Sequence, residues 1–410
     1  MRISLPNLNK TINFLICLSF LSISFRHEIT SICLYLTGLF SLFGIFKNKI
    51  NVFKVKNSVI LFFISYFIIE IFGLIYTNNF YFAIKDIESK ILFVVACLIL
   101  IGNNTQGFNI NKFFKFYIAG IFLNLSFLLV LGIFEFNKDH IFPKYDSFSF
   151  LMHPTYYAIN LVIGIIIIFE SNNLFNKKFI RLFLFLFFSI GIILTDSKAG
   201  ILCYILILII ITIRYILNLK FKLKMIVFVL VAFLSLISYK YLSKSRITEI
   251  FDTLQTTTLY NNNNNNYSGV YNSTETRIII WKLTIVVINN NLIFGTGTGD
   301  IKDELNNQYE NTNFIYGSEL HYNCHNQFLQ IIATFGIFFG FPLILILLKI
   351  LQDTIKNKNI LFSIILLIFI INFLFESFLE TKAGVEIFVL FCIIIGSTLN
   401  QNRNLKFSSI

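Results

Sequence analysis

Long unbroken apolar runs constrain this chain more than any other feature. The blocks SVILFFISYFIIEIFGLIY (58–76) and AGILCYILILIIITIRYILNL (199–219) hold one charged residue each. Runs of about 18 or more apolar residues are long enough to span a bilayer as helices. Lipid offers no hydrogen bonds to backbone groups, so only helices and closed barrels cross it. A barrel would show alternating segments of about ten residues, and none is present. The chain therefore reads as an all-α polytopic integral membrane protein. Its bulk agrees, with 56% hydrophobic residues, 13% charged residues and 51 phenylalanines.

About twelve spans can be placed, near 11–25, 29–46, 58–76, 91–102, 113–135, 154–170, 180–195, 199–219, 225–241, 326–349, 360–379 and 383–398. The start MRISLPNLNK before an apolar run lacks a small-residue cleavage site, so it reads as a first span and not as a signal peptide. Three regions follow: a bundle of nine helices at 1–241, a loop at 242–325, and helices ten to twelve with a tail at 326–410. The net charge of +12 raises the question of nucleic acid. With the N-terminus inside, however, 20 of the 33 basic residues fall on the cytoplasmic side against two acids, Glu170 and Asp353. That asymmetry is the positive-inside bias, which sets both termini in the cytoplasm and the long loop outside. Basic charge here means orientation, with no nucleic-acid partner expected.

Five cysteines, Cys17, Cys33, Cys97, Cys203 and Cys392, lie in apolar runs, and only Cys324 has polar neighbours. No disulfide is expected. The loop holds the tract NNNNNN (261–266), a flexible bulge by composition. After it, Ser273 and Thr274 are possible caps for a helix over 273–290. The run FGTGTGD (294–300) sets Gly295, Gly297 and Gly299 at alternate positions, suited to unusual φ or to a close approach by a ligand. Upstream, Phe80, Ile84, Ile87 and Ile91 fall at helical spacing with Lys85, Asp86 and Glu88 between them. Either an amphipathic helix at the outer interface or a lead-in to span four would give that pattern.

Polar residues collect near the outer face: Glu70, His153, Asp196, Lys198, Arg246, Arg277, Asp300, Glu304, His321, His325, Glu376 and Glu380. Such groups at membrane depth usually line a cavity. His325 can cap a helix, or act as a general base toward a hydroxyl, since imidazole titrates near working pH. His321 and His325, four apart, could share a helix face toward a metal, but no third ligand is placed. A Cys324 nucleophile with His325 as its base has no further support. Arg277 can pack on Trp281 one turn on, or clamp a phosphate or diphosphate with its planar fork. Lys198 can snorkel, pair with Asp196, or serve as a second cation for an anionic headgroup. Glu70 and Glu376 are either satisfied buried carboxylates or the proton carriers of a transporter.

These residues have a recognisable order. His325, Asn326, nine residues, Gly336, three residues and Gly340 reproduce a motif of the O-antigen ligase and polymerase superfamily, bacterial envelope glycosyltransferases that the chain resembles. TRIIIWKLTIVVINNNLIFGTGTGD resembles the family's Arg-x3-Trp segment leading to a Gly-x-Gly turn. LTDSKAG resembles its Ser-Arg motif with Lys198 in the arginine's place. HPTYYA (153–158) and ESFLETKAG (376–384) resemble weaker features.

The resemblance implies a GT-C-like bundle in the bacterial inner membrane, with a periplasmic active site on the loop between helices nine and ten. It implies no cofactor and no metal. The implied donor is an undecaprenyl-diphosphate-linked glycan and the acceptor lipid A–core or another glycan, with membrane lipids around the bundle. A protein hydroxyl is a further possible acceptor. By the same resemblance His325 activates the acceptor hydroxyl and Arg277 stabilises the leaving diphosphate. Lys198 and Arg246 assist, and Asn326, Trp281, Gly295, Gly297, Gly299, His321, His153, Glu376 and Glu380 support.

Overall fold

The computed structural model describes residues 5–50, 57–102, 108–171, 174–217, 267 and 271–407. The described residues are helical, with no strand among them. Span nine at 225–241, the asparagine tract, Arg246 and the 241/242 boundary lie outside them.

Eight helices precede the loop: α1 (Leu5–Ser22), α2 (His27–Asn48), α3 (Ser58–Gly73), α4 (Phe80–Gly102), α5 (Ile110–Asp139), α6 (Pro154–Glu170), α7 (Lys178–Thr195) and α8 (Lys198–Leu217). The loop contributes α9 (Ser273–Asn290), α10 (Ile301–Asn311) and α11 (Ile315–Leu320). Then come α12 (Gln327–Lys356), α13 (Ile360–Phe373), a 3-10 turn at Phe378–Glu380, and α14 (Lys382–Phe407). Among the described residues, α2, α5, α7, α12 and α14 are long and apolar enough to cross a membrane; parts or all of α1, α3, α6 and α13 form shorter apolar helices.

Burial sorts these helices. The apolar stretch of α14 is 89% buried, that of α7 only 28%. α14 packs against α2, α3, α4 and α6, so it runs through the middle, while α7 lies at the margin against α5, α6 and α8. The margin is greasy: Leu182, Phe183, Leu186, Ile190 and Ile193 of α7 and Ile32, Leu36, Leu39, Phe43 and Phe46 of α2 are exposed. An apolar surface of this extent is unstable in water and natural in lipid. The chain is an integral membrane protein.

One open alternative is resolved and one expected span is shortened. Residues 80–102 form one helix, so the amphipathic stretch is the lead-in to span four and not a separate interfacial helix. The expected span 360–379 stops at Phe373, because Phe375 and Glu376 already bond back to the Asn372 carbonyl and the chain turns. Glu376 therefore sits in a turn and not in a helix.

A second apolar cluster lies in the loop region. Ile280, Leu283 and Val287 of α9 meet Ile301, Leu305 and Tyr309 of α10, with Phe314 and Cys324 beside them. Cys324 is fully buried, contrary to its polar neighbours in sequence. Burial raises its thiol to about 12, which removes the thiolate a nucleophile needs.

α12 is broken where the sequence suggests a continuous run. Gly336 has φ +69 and ψ −179, a conformation closed to side chains with a Cβ. The break lets the glycine run dock: Thr296 N–H and Gly297 N–H donate to the Ala333 and Thr334 carbonyls, and Ile337 and Phe338 N–H donate to Leu292 and Ile293. A Cβ on Gly295 would stand 2.4 Å from Thr334 O, and one on Gly299 2.1 Å from Asn79 O. The close approach these glycines permit is to the protein's own backbone. Asp300 completes the seam, accepting from the Thr77 hydroxyl and from the N–H groups of Asn78 and Asn79.

Candidate active site

Local chain chemistry fixes each side chain. Asn272 caps α9 in a capping box with Glu275, one residue ahead of the expected Ser273 and Thr274. Such a cap contributes about 1 kcal/mol and fixes where the helix begins. Arg277 follows one turn inside. Asn326 caps α12, its side chain accepting from Phe328 N–H at 2.9 Å and Leu329 N–H at 3.0 Å. His325 is thereby left just outside the helix at φ +44. That left-handed conformation costs roughly 1–2 kcal/mol. It is held by the bond from His325 N–H to Asn323 Oδ1 at 2.9 Å and by Trp281 Nε1–H donating to the His325 carbonyl at 3.4 Å.

Glu376 joins the two. One carboxylate oxygen accepts from Arg277 Nη2 at 2.5 Å and the other lies 3.1 Å from His325 Nδ1. Its side chain is 7% exposed, against 23% for each of the other two. Burial alone would raise the Glu376 carboxyl. The hydrogen bond with His325 and the charge of Arg277 outweigh burial and hold it below the ordinary glutamate value. An ionised carboxylate only accepts, so His325 Nδ1 carries the proton and donates. In the neutral ring Nε2 is then a free acceptor, and it has no hydrogen-bond partner among the described residues. Arg277 likewise uses only Nη2 in a hydrogen bond among them, leaving other N–H donors for an anion.

Lys198 opens α8 and reaches the start of α9, donating to Ser273 Oγ at 2.7 Å and Thr274 Oγ1 at 3.2 Å. Ser273 and Thr274 lie about one helical turn before Arg277 on α9. His153 caps α6, its Nδ1 accepting from Thr155 N–H at 3.4 Å. Burial lowers its pKa first of all; Glu376 and Asp146 oppose that, while His325 and Arg277 add to it. His153 thus feels the same three side chains electrostatically.

The other expected residues are elsewhere. His321 is exposed, ends α11 at φ +47 and bonds Asn306 Oδ1 at 3.1 Å. Neither it nor His325 lies within a helix, so they share no helix face. Glu380 faces Lys90 at 3.2 Å, and Lys90 lies 3.9 Å from Glu70. Glu70 and Glu376, the carboxylates that suggested transport, thus have cationic partners in Lys90 and Arg277. Trp281 holds the backbone of His325. Two participants went unnoticed in the sequence: Tyr322, whose ring meets His325 edge-on at 5.5 Å, and the fully buried Lys90. Tyr322 stands beside the histidine motif and was within reach; Lys90 was hidden among solvated-looking charges.

Residues 183–345 match a family model described as O-antigen ligase. That stretch, 163 of the 410 residues, is similar to the O-antigen ligase family. The matched segment carries Lys198, Arg277, Trp281, His325 and Asn326, and both glycines of the histidine motif. It ends before Glu376, so the carboxylate joining Arg277 to His325 comes from outside it. No curated protein matches the chain. The match supports a ligase- or polymerase-type function.

Proposed function

We propose that the protein transfers a glycan from undecaprenyl diphosphate to a hydroxyl of lipid A–core at the periplasmic face of the inner membrane, both termini being cytoplasmic. The observation that carries this reading is the convergence of His325 and Arg277 on Glu376, with two of the three inside the ligase-family segment. His325 Nε2 takes the proton of the acceptor hydroxyl as its oxygen attacks the anomeric carbon. The bond from that carbon to the diphosphate oxygen breaks, and its electron pair leaves with the lipid diphosphate. Glu376 stabilises the imidazolium that forms, in the manner of a buried carboxylate behind a catalytic histidine. Arg277 and Lys198 offset the growing charge on the leaving group, so cationic side chains supply the electrostatic stabilisation. Lysine gives a point charge where arginine would give two parallel donors, so Arg277 bears the larger share.

A second acceptor suits the same centre. The family match does not distinguish ligation from polymerisation, and a repeat-unit hydroxyl would be activated in the same way. Transfer by the purified protein, given lipid A–core and lipid-linked glycan extracted from cells lacking the gene, tests the reading. Lipid A–core labelled by the transfer supports ligation. Elongation of the lipid-linked glycan supports polymerisation. Neither product, with the folded protein present, overturns the proposal.

A further inference from the structure

Four residues after Glu376, Glu380 belongs to a buried ionic set contributed by three elements. Lys90 of α4 is fully buried with its ammonium 3.2 Å from Glu380 and 3.9 Å from Glu70 of α3. An ammonium so enclosed is stable only with partners, and removing one leaves an uncompensated buried charge.

Glu380 carries the linkage onward. Its second oxygen accepts from Gln327 Nε2 at 3.4 Å, and Gln327 Oε1 accepts from Leu379 N–H at 2.7 Å. Gln327 is the first residue of α12, two positions after His325. On the other flank, Asn326 N–H donates to Ser377 Oγ at 3.2 Å and Asn326 Nδ2 to Leu374 O at 3.1 Å. The turn bearing Glu376 is thus stitched to the mouth of α12 on both sides of the His325 contact, and α4 is the far anchor of one side.

We propose that Lys90 is a positioning residue for the His325–Glu376 centre, acting through Glu380 and Gln327. This rests on the reading that His325 and Glu376 act together in glycan transfer. Lys90 touches no reacting atom; it fixes the turn at 376–380 against α12 so that Glu376 faces Nδ1. A catalytic contact displaced by as little as about 1 Å can lose on the order of a hundredfold in rate.

The test is steady-state transfer by purified variants with the extracted lipid-linked glycan as donor. Lys90→Met and Glu380→Gln are expected to lower kcat at least about tenfold while KM for the donor moves less than about threefold. Lys90→Arg, which keeps the charge, should recover most of the loss. Glu88→Gln, which breaks the exposed ion pair with Lys382, is the control and should change neither constant. Glu380→Gln preserves side-chain shape and decides the outcome should Lys90→Met fail to fold. Unchanged kcat in folded Glu380→Gln, or a loss confined to KM, overturns the positioning role. In the same assay, full activity of His325→Ala would instead overturn the underlying transfer reading.

Discussion

His325 and Glu376 are 51 positions apart in the chain, yet the imidazole Nδ1 lies 3.1 Å from a Glu376 carboxylate oxygen. Arg277 shares that carboxylate from the start of α9. Three elements, none adjacent in sequence, therefore meet at one carboxylate.

Arg277 is bound to Glu376 through one nitrogen, so its charge and its fork have separable roles. Arg277→Lys should keep a cation but lose the planar donors, with kcat falling roughly tenfold; Arg277→Ala should fall on the order of a hundredfold or more. Steady-state kinetics with extracted donor separates the two. Equal activity of Arg277→Lys and the parent would show that charge alone suffices.

Acid should weaken the site with a definite sign. The Glu376 pKa is lower folded than unfolded, because His325 and Arg277 outweigh burial. The stabilisation it contributes is complete above the unfolded value, about 4.3, and is lost as pH falls through the lower folded value. His153, lowered mainly by burial, follows the same direction: its contribution is complete above about 6.5 and declines as pH falls toward its folded value. Thermal unfolding in detergent from about pH 7 down to about pH 3 reads both windows. His153→Gln should flatten the upper one and Glu376→Gln the lower one.

The glycine seam makes a stability prediction that does not depend on the reaction. Gly295 has φ +74, and a Cβ there would strike the Thr334 carbonyl. Gly295→Ala should cost at least roughly 1–3 kcal/mol and lower the unfolding temperature in detergent. A variant as stable as the parent would mean that the loop and the α12 break yield easily.

Membrane character was legible because lipid demands long apolar helices, and α3, α6 and α7 fall close to where hydropathy places them. The motif likewise pointed to His325 and Arg277. What escaped were features set by distant partners. A lysine among Asp86 and Glu88 looks solvated, and only packing of α4 against α3 and α14 reveals Lys90 as buried. The turn at 374–377 reads as apolar helix, because sequence shows hydropathy and not the bonds Asn326 makes there. The helix α10 did leave a trace: Ile301, Leu305 and Tyr309 recur every fourth residue. Cys324 misled because its neighbours in sequence are polar and half-buried, while its own side chain is enclosed by the second apolar cluster.

The most direct measurement is the transfer rate of His325→Ala and Glu376→Gln, purified and shown to be folded, with the extracted lipid-linked glycan. Loss of the base should lower kcat by at least about a hundredfold, with a substantial fall when the carboxylate is neutralised. Rates equal to the parent in both variants would contradict a centre built on this pair.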